Sequence, residues 1–499
     1  MNISMIIYIL GQIIRLEGLL MLIPCFTSLI YQEHEMFSFL VVIAACVVIG
    51  TLMTIRKPWN QTIYLKEGCI ATAFSWILLS IFGCMPFVIS GEIPSFTNAL
   101  FETISGFTTT GASILSDVES MSHGMMLWRC FTHWIGGMGV LVFLLAIIPM
   151  NSASGSNMNL MKAESPGPAV GKLVPRLKYT ARILYIIYFG MTVLEVIFLL
   201  FGHMPVFDAL CTAFGTAGTG GFGIKNDSFA SFSPYIQWVV TIFMILFGVN
   251  FNFYYFILFR NVRKALSMEE VRTYFLIILG AVTILFVSLM NTMSSVWEAL
   301  RHAAFQVASI ITTTGYASAD FDQWSQTCKT VIVMLMFIGA CAGSTGGGMK
   351  VSRLIIMFKT VVKELSSYFH PKNIKKINID GKPVEHEVVR AVNVYFITIM
   401  GIFTISVLLV SIEGRDLVTN FTAVASCLNN IGPGLSQVGP TQNYGGLTGL
   451  SKYVLMFDML AGRLELFPLL LIFNPCVYRD MFVGILRHIR IRIERRKEC

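Results

Sequence analysis

The sequence predicts an all-α integral membrane protein. Four pseudo-repeats, each a helix, a re-entrant half-helix with its loop and a second helix, surround a central pore, and two leading transmembrane helices precede them. Three observations lead there. The 499 residues are 55% hydrophobic and only 13% charged, with mean hydropathy +0.70, whereas soluble domains carry roughly 25% charged residues. About ten apolar runs approach the ~20 residues a helix needs to cross a bilayer. Four further segments, too short to span and too apolar for loops, repeat one another.

The expected spans are 4–30, 36–55, 68–90, 125–149, 181–202, 235–260, 272–291, 328–369, 389–411 and 451–476. The N-terminal MNISMIIYIL lacks a basic n-region and a small-residue cleavage site, so the first helix is expected to be retained. It carries Arg15 and Glu17, which predicts packing against protein or a partly interfacial position. The eleven cysteines are scattered, with no CxxC pair, and are expected to be reduced structural thiols without a metal. The 27 Met and 39 Phe fit packing and lipid-facing roles.

Charge orients the chain. Segments 51–66, 151–182, 260–272, 350–390 and 477–499 hold 28 of the 36 Lys and Arg residues. The opposite loops carry Glu33, Glu35, Glu92, Asp117, Glu119, Asp227, Asp320, Asp322 and Glu413. The positive-inside rule then predicts a cytoplasmic basic side and two cytoplasmic termini. The net charge of +8 is therefore topological, and gives no support to nucleic-acid binding.

The four outer segments are FTNALFETISGFTTTGAS (96–113), VFDALCTAFGTAGTGGFGIKNDS (206–228), VWEALRHAAFQVASIITTTGYAS (296–318) and LVTNFTAVASCLNNIGPGLS (417–436). The first and third share a Phe, a Ser and a Thr-Thr-Thr-Gly at the same spacing. Ser426 lies six before Gly432, and Phe214 six before Gly220, which phases the repeat on Gly111, Gly220, Gly315 and Gly432. Asn98, Asp208 and Glu298 each precede Ala-Leu near a half-helix start, where polar groups cap and acids suit the dipole. Non-helical backbone at membrane depth is tolerated where it lines a cavity. Four such backbones imply one shared cavity, with carbonyls replacing the water shell of a cation. Half-helix C-termini add partial negative charge. The repeats divide the chain into 1–66, the leading helices; 67–150; 151–262; 263–387; and 388–499, with a basic tail. No HExxH, G-x-S-x-G or axial carboxylate pair points to an enzyme.

The stretch GACAGSTGGGMK (339–350) mimics a phosphate loop and fails the test. Met349 separates Gly348 from Lys350, and Val351 follows the lysine instead of Ser or Thr. It sits inside an apolar run too long for one span.

These motifs resemble the Trk/Ktr/HKT superfamily of potassium transporters, TrkH branch. The marks are TTTGAS (108–113), GTGGFG (218–223), TTTGYAS (312–318), NNIGPG (429–434), GACAGSTGGGMKVSR (339–353) and AGRLELFP (461–468), and the likeness covers essentially the whole chain. The two leading helices fit TrkH better than the shorter Ktr form. The resemblance implies a cation filter of Thr109, Thr110 and Gly111; Thr219 and Gly220; Thr313, Thr314 and Gly315; and Asn430, Ile431 and Gly432, acting mainly through carbonyls. The glycine-rich second loop leaves Gly220-Gly221 as an alternative to Thr219-Gly220, and the phase of the other glycines selects the latter. Such a filter is expected to pass potassium best, and rubidium or sodium to some degree. The resemblance also makes Gly339, Gly343, Ser344, Thr345, Gly346, Gly347 and Gly348 an intramembrane gate, against the alternative of a passive kink or packing surface.

Arg463 lies in a spanning run beside Asp458 and Glu465. It is either ion-paired to one of them or, as the resemblance favours, a positive barrier beneath the filter against the gate. His133 and Arg129 are expected to pack rather than relay protons. The family implies a homodimer docked on a cytosolic nucleotide- or NAD-binding regulatory subunit of the TrkA type. No cofactor is expected in this chain, with K+ as the transported ion, and the location is a bacterial inner membrane. Two other readings stay open: a symporter coupling K+ to Na+ or H+ on this fold, and a broken-helix transporter of an organic solute.

Overall fold

The computed structural model describes residues 1–60, 62–139, 177–370, 376–475 and 479, and side chains from 177 to 181 are left aside. The first leading span is Ile3–Leu20, resuming after Met21 as Leu22–Ile30. The second is Met36–Thr54. They pack antiparallel through small residues: a methyl on Gly18 would lie 2.9 Å from Cys46 Cβ, and one on Gly50 2.8 Å from the Gly11 carbonyl. Such contacts let helix backbones approach where lipid offers no hydrophobic drive. Arg15 and Glu17 divide the roles expected of them. Arg15 is exposed, and Glu17 is buried against Gly83.

Four outer helices follow: Leu65–Ser90, Leu177–Phe201, Glu269–Leu289 and His386–Ser411. With the leading pair they make the six described helices long and apolar enough to cross a membrane. Each runs into a half-helix: Phe96–Phe107, Val206–Gly218, Val296–Ile311 and Leu417–Leu428. At 1.5 Å per residue these reach about 18–24 Å, short of the ~30 Å hydrocarbon core. Their N-caps are Ser95, Pro205, Ser295 and Asp416. Asp208 and Glu298 sit in the first turn, where acids suit the dipole. Asn98 instead accepts a hydrogen bond from Lys452 Nζ at 2.8 Å.

The inner helices depart from the sequence reading, which broke only the third. The run 125–149 forms His123–Gly137, and its part beyond 139 lies outside the described residues. The run 235–260 is two helices, Pro234–Phe247 and Phe251–Leu258, bent by 90°. Asn250 starts the second of them by accepting the Asn252 N–H at 2.9 Å. The run 328–369 is Gln326–Met336, a loop, then Val351–Phe369. The run 451–476 is Gly449–Arg463 and Phe467–Ile472. There Glu465 and Leu466 take positive φ, and Pro468 has no N–H to continue a helix.

One ion pair lies deep in this apolar body. Arg129 Nε, on the first inner helix, meets Glu102 Oε1 of the first half-helix at 2.7 Å, both side chains almost fully buried. Glu102 also accepts the Ser113 hydroxyl and the Ile114 N–H, each at 2.9 Å, and Arg129 reaches the Gly223 carbonyl at 3.0 Å. The pair thus ties the first loop to the second from behind. Breaking one partner of a buried pair costs about 3–5 kcal/mol, because the other charge is stranded. Arg129→Leu is therefore expected to lower the melting temperature of the detergent-solubilised protein sharply, and adding Glu102→Gln to recover part of the loss.

Candidate functional site

The four half-helices end alike. In the first, Thr109 N–H donates to Gly106 and Thr110 N–H to Ser105. The second pairs Thr219 with Thr216 and Gly220 with Gly215. The third pairs Thr313 with Ile310 and Thr314 with Ser309, and the fourth pairs Asn430 with Cys427 and Ile431 with Ser426. This is the Schellman pattern, which wants a left-handed residue and usually finds glycine. Here the left-handed residues are Thr109, Thr219, Thr313 and Asn430, with φ between 54° and 58°. A β-branched residue there is a real outlier, and three of the four sites hold one. Such strain persists only where the surroundings over-determine it.

Two residues after each of these comes a positive-φ glycine: Gly111, Gly221, Gly315 and Gly432. This corrects the phase of the second loop. Gly221, not Gly220, is the counterpart of Gly111, and Gly220 stands where the other loops carry Thr110, Thr314 and Ile431. Phe214 was a false anchor. A truer one was in the sequence: Asn98 to Gly111 and Asp208 to Gly221 are both thirteen residues.

The four glycines interlock. A methyl on Gly111 would fall on the Gly220 carbonyl oxygen, one on Gly221 on that of Thr314, and one on Gly315 on that of Ile431. A methyl on Gly432 would lie 2.7 Å from that of Thr110. Loop one touches two, two touches three, three touches four, and four touches one, so the ring closes. The carbonyls of Thr110, Gly220, Thr314 and Ile431 accept no hydrogen bond among the described residues, although these residues are buried. On the outer side the four glycines line a vestibule with Arg129 and Lys225. Tyr444, which the sequence reading missed, donates its hydroxyl to the Gly432 carbonyl at 2.7 Å. In that outer ring one carbonyl is therefore already taken.

His133 accounts for the extra glycine of the second loop. Its ring is fully buried, with Nδ1 2.7 Å from the Gly106 carbonyl and Nε2 accepting the Phe222 N–H at 3.2 Å. A side chain at Gly220 would collide with that ring. The histidine wedges between two loops, in keeping with the packing role expected of it.

The stretch 339–350 crosses directly beneath the ring. Gly347 N–H donates to Thr313 Oγ1 at 2.7 Å. A methyl on Gly346 would lie 3.0 Å from the Thr312 carbonyl, on Gly347 2.7 Å from Asn430 Cβ, and on Gly348 3.1 Å from the Asn429 carbonyl. Gly339 N–H closes the neck on the Met349 carbonyl at 2.6 Å, and Gly343 turns with φ 69°. Ser344 bonds back to Cys341 within the loop. Lys350 Nζ folds back onto the carbonyls of Gly346 and Gly347.

Arg463 reaches this stretch. It donates to the Thr345 carbonyl at 2.9 Å and to the carbonyls of Gly136 and Gly137 at the end of the first inner helix. Glu465 pairs with Arg353, and Asp458 accepts from Ser406 at 2.7 Å. Both acids weighed as partners for Arg463 are thus engaged elsewhere. Glu270, which the sequence did not single out, also holds the loop by accepting the Ala342 N–H at 2.7 Å, and Asn250 donates to Glu270.

A profile of the TrkH family, described as a cation transport protein, matches residues 35–485. A Trk system potassium uptake protein TrkH of Halomonas elongata is 32% identical over 486 residues, covering 96% of this chain and 100% of that one. A Trk system potassium uptake protein TrkG of Escherichia coli K12 is 32% identical over 495 residues, covering 96% and 99%. The crystal structure of the potassium transporter TrkH from Vibrio parahaemolyticus superposes with a TM-score of 0.85 at 30% identity, over 95% of this chain and 99% of that one.

The register makes a separable prediction. Gly220→Ala is expected to destabilise by about 1–3 kcal/mol through overpacking, and His133→Ala to relieve it, because the obstacle is one side chain. Gly221→Ala meets backbone, and no single second substitution is expected to rescue it. Thermal melts in detergent of Gly220→Ala, His133→Ala, the double variant of these two and Gly221→Ala check this.

Proposed function

The chain belongs to the TrkH family of cation transport proteins, and on that footing we propose that it carries potassium into the cell through the ring of four loops. It is a multi-pass membrane protein with a transport role rather than an enzymatic one. The observation that carries the reading is the ring of buried carbonyls at Thr110, Gly220, Thr314 and Ile431, which have no hydrogen-bond donor among the described residues. An unpaired carbonyl in a membrane interior costs several kcal/mol. In this reading the four, brought together in one closed ring, are offset by a dehydrated cation that takes them as its ligands. Each half-helix C-terminus adds about half a negative charge, which favours cations and disfavours anions. The membrane potential supplies about 2.3 kcal/mol per charge per 100 mV, so inward movement needs no chemistry in the chain.

In this reading Thr109, Thr219, Thr313 and Asn430 form the inner edge of the filter, and Gly111, Gly221, Gly315 and Gly432 its outer edge. The stretch 339–350 is the gate, held shut against Thr313 and Asn430. Arg463 is its latch and sets a positive charge below the filter. The protein works as a homodimer in a bacterial inner membrane with both termini cytoplasmic. A nucleotide-binding cytosolic subunit of the TrkA type moves the gate. The match to Trk system proteins over nearly their full length supports this assembly.

The test is Rb+ or K+ flux into proteoliposomes at an imposed potential, with Na+ and choline controls. Deleting residues within 343–348 is expected to raise flux above wild type, and Gly315→Ala to degrade its potassium selectivity. Absence of flux from the deletion variant, in folded protein, would move the reading to a solute transporter. Tyr444→Phe frees the Gly432 carbonyl, and is expected to change the K+/Na+ permeability ratio without changing the melt.

A further inference from the structure

Two adjacent acids open the third outer helix, and each holds a different piece of chain. Glu270 is 5% exposed. Its Oε1 accepts the Ala342 N–H at 2.7 Å and the Ser352 N–H at 3.1 Å, and its Oε2 lies 3.3 Å from Asn250 Nδ2. Ala342 is on the way into the loop and Ser352 is just past its exit, so a single oxygen closes the neck. Asn250 cannot readily turn its amide, because its Oδ1 holds the Asn252 N–H. Glu269 serves the cytoplasmic side. Its N–H donates to Asp380 Oδ1 at 2.7 Å, and its carboxylate meets Lys359 Nζ at 2.6 Å. Lys359, on the helix that leaves the loop, also donates to the Asn378 carbonyl at 2.7 Å. Asn378–Ile379 and Lys382–Pro383 form a small hairpin, with Asp380 and Gly381 at its turn.

We propose that Glu270 is the clasp of the intramembrane loop, and that the 378–383 hairpin, through Asp380, Glu269 and Lys359, sets whether the clasp is closed. The inference rests on reading 339–350 as the gate. A carboxylate suits the task because it only accepts, and one oxygen can take two backbone donors. Without it two buried N–H groups lose their acceptor, and the loop does better in water than against the filter. The hairpin grips the start of the third outer helix and the helix that leaves the loop. Displacing it moves Glu269, and with it the next residue, which is the clasp. A cytosolic partner could open the pore by pulling on this hairpin without touching the membrane interior.

Rb+ flux by the full chain alone in proteoliposomes tests this, with the 343–348 deletion as reference and folding checked by gel filtration and melting. Glu270→Ala is expected to raise flux about ten- to hundredfold, as losing charge-assisted hydrogen bonds would, with the K+/Na+ ratio unchanged. Glu270→Gln keeps one acceptor and should fall between. Asp380→Ala should raise flux less, and add nothing on top of Glu270→Ala. If Glu270→Ala does not fold, Glu270→Gln decides: flux above wild type supports the clasp, and wild-type flux overturns it. Flux from the deletion with none gained in the Glu270 variants overturns the clasp while leaving the gate standing. A K+/Na+ ratio that falls toward one would mean a collapsed pore and overturn it too. Wild-type flux from Asp380→Ala beside an active Glu270→Ala overturns the hairpin's part. No flux from the deletion itself removes the gate reading on which the inference stands.

Discussion

The ring of loops is arranged around four buried carbonyls, of Thr110, Gly220, Thr314 and Ile431, that have no donor among the described residues. Four chain segments leave helical geometry among helices long and apolar enough to cross a membrane, and on the proposed reading a cation satisfies their carbonyls. The closed contact of each filter glycine with the carbonyl of the next loop follows from that need. No loop can hold its strained threonine or asparagine alone. Each is pressed into place by its neighbour, and the Arg129–Glu102 pair and His133 brace the ring from behind. The ring is therefore a collective object. A methyl at one position disturbs two loops at once.

The broken inner helices obey the same constraint. A continuous helix would satisfy its own backbone and pass the ring by. By stopping at Gly137, Phe247, Met336 and Arg463, the inner helices leave end carbonyls and N–H groups beside the stretch that runs under the ring. The structure uses them. Arg463 takes the carbonyls of the first break, the Gly248 carbonyl accepts the Cys341 N–H, and Phe251 N–H reaches the Gly343 carbonyl. The 339–350 stretch is thus held by the ends of its neighbours as well as by its own turns.

Much of this was legible in the sequence, and what was not has identifiable physical reasons. Thr-Thr-Thr-Gly at 108–111 and 312–315 was readable because the same conformation recruits the same letters. The second loop was misread by one residue because its Gly220 answers to His133, a contact 87 residues away that spacing cannot carry. The breaks in the second and fourth inner helices were hidden inside apolar runs, since Val249 and Leu464 look like any spanning residue. Nothing in the sequence singles out Glu269-Glu270. Only the folded chain brings Ala342 and Ser352 to the same oxygen.

The division of strength between ring and loop says which of them can move. The ring is held by backbone against backbone, in contacts that leave no room for an added methyl. The loop touches the ring through one hydrogen bond, Gly347 N–H to Thr313, and through packing of bare glycines. Its remaining hold combines a few backbone hydrogen bonds to neighbouring helix ends, Cys341 N–H to Gly248 and Phe251 N–H to Gly343, with long charged side chains, Glu270, Lys350 and Arg463, that meet backbone at its edges. Such contacts are strong while aligned and fade within about an ångström or a modest loss of angle. A small shift of the elements that carry them therefore releases the loop, while the same shift leaves the interlocked ring almost unchanged. On the proposed reading of ring as filter and loop as gate, selectivity and gating share one short axis because they rest on these two kinds of contact.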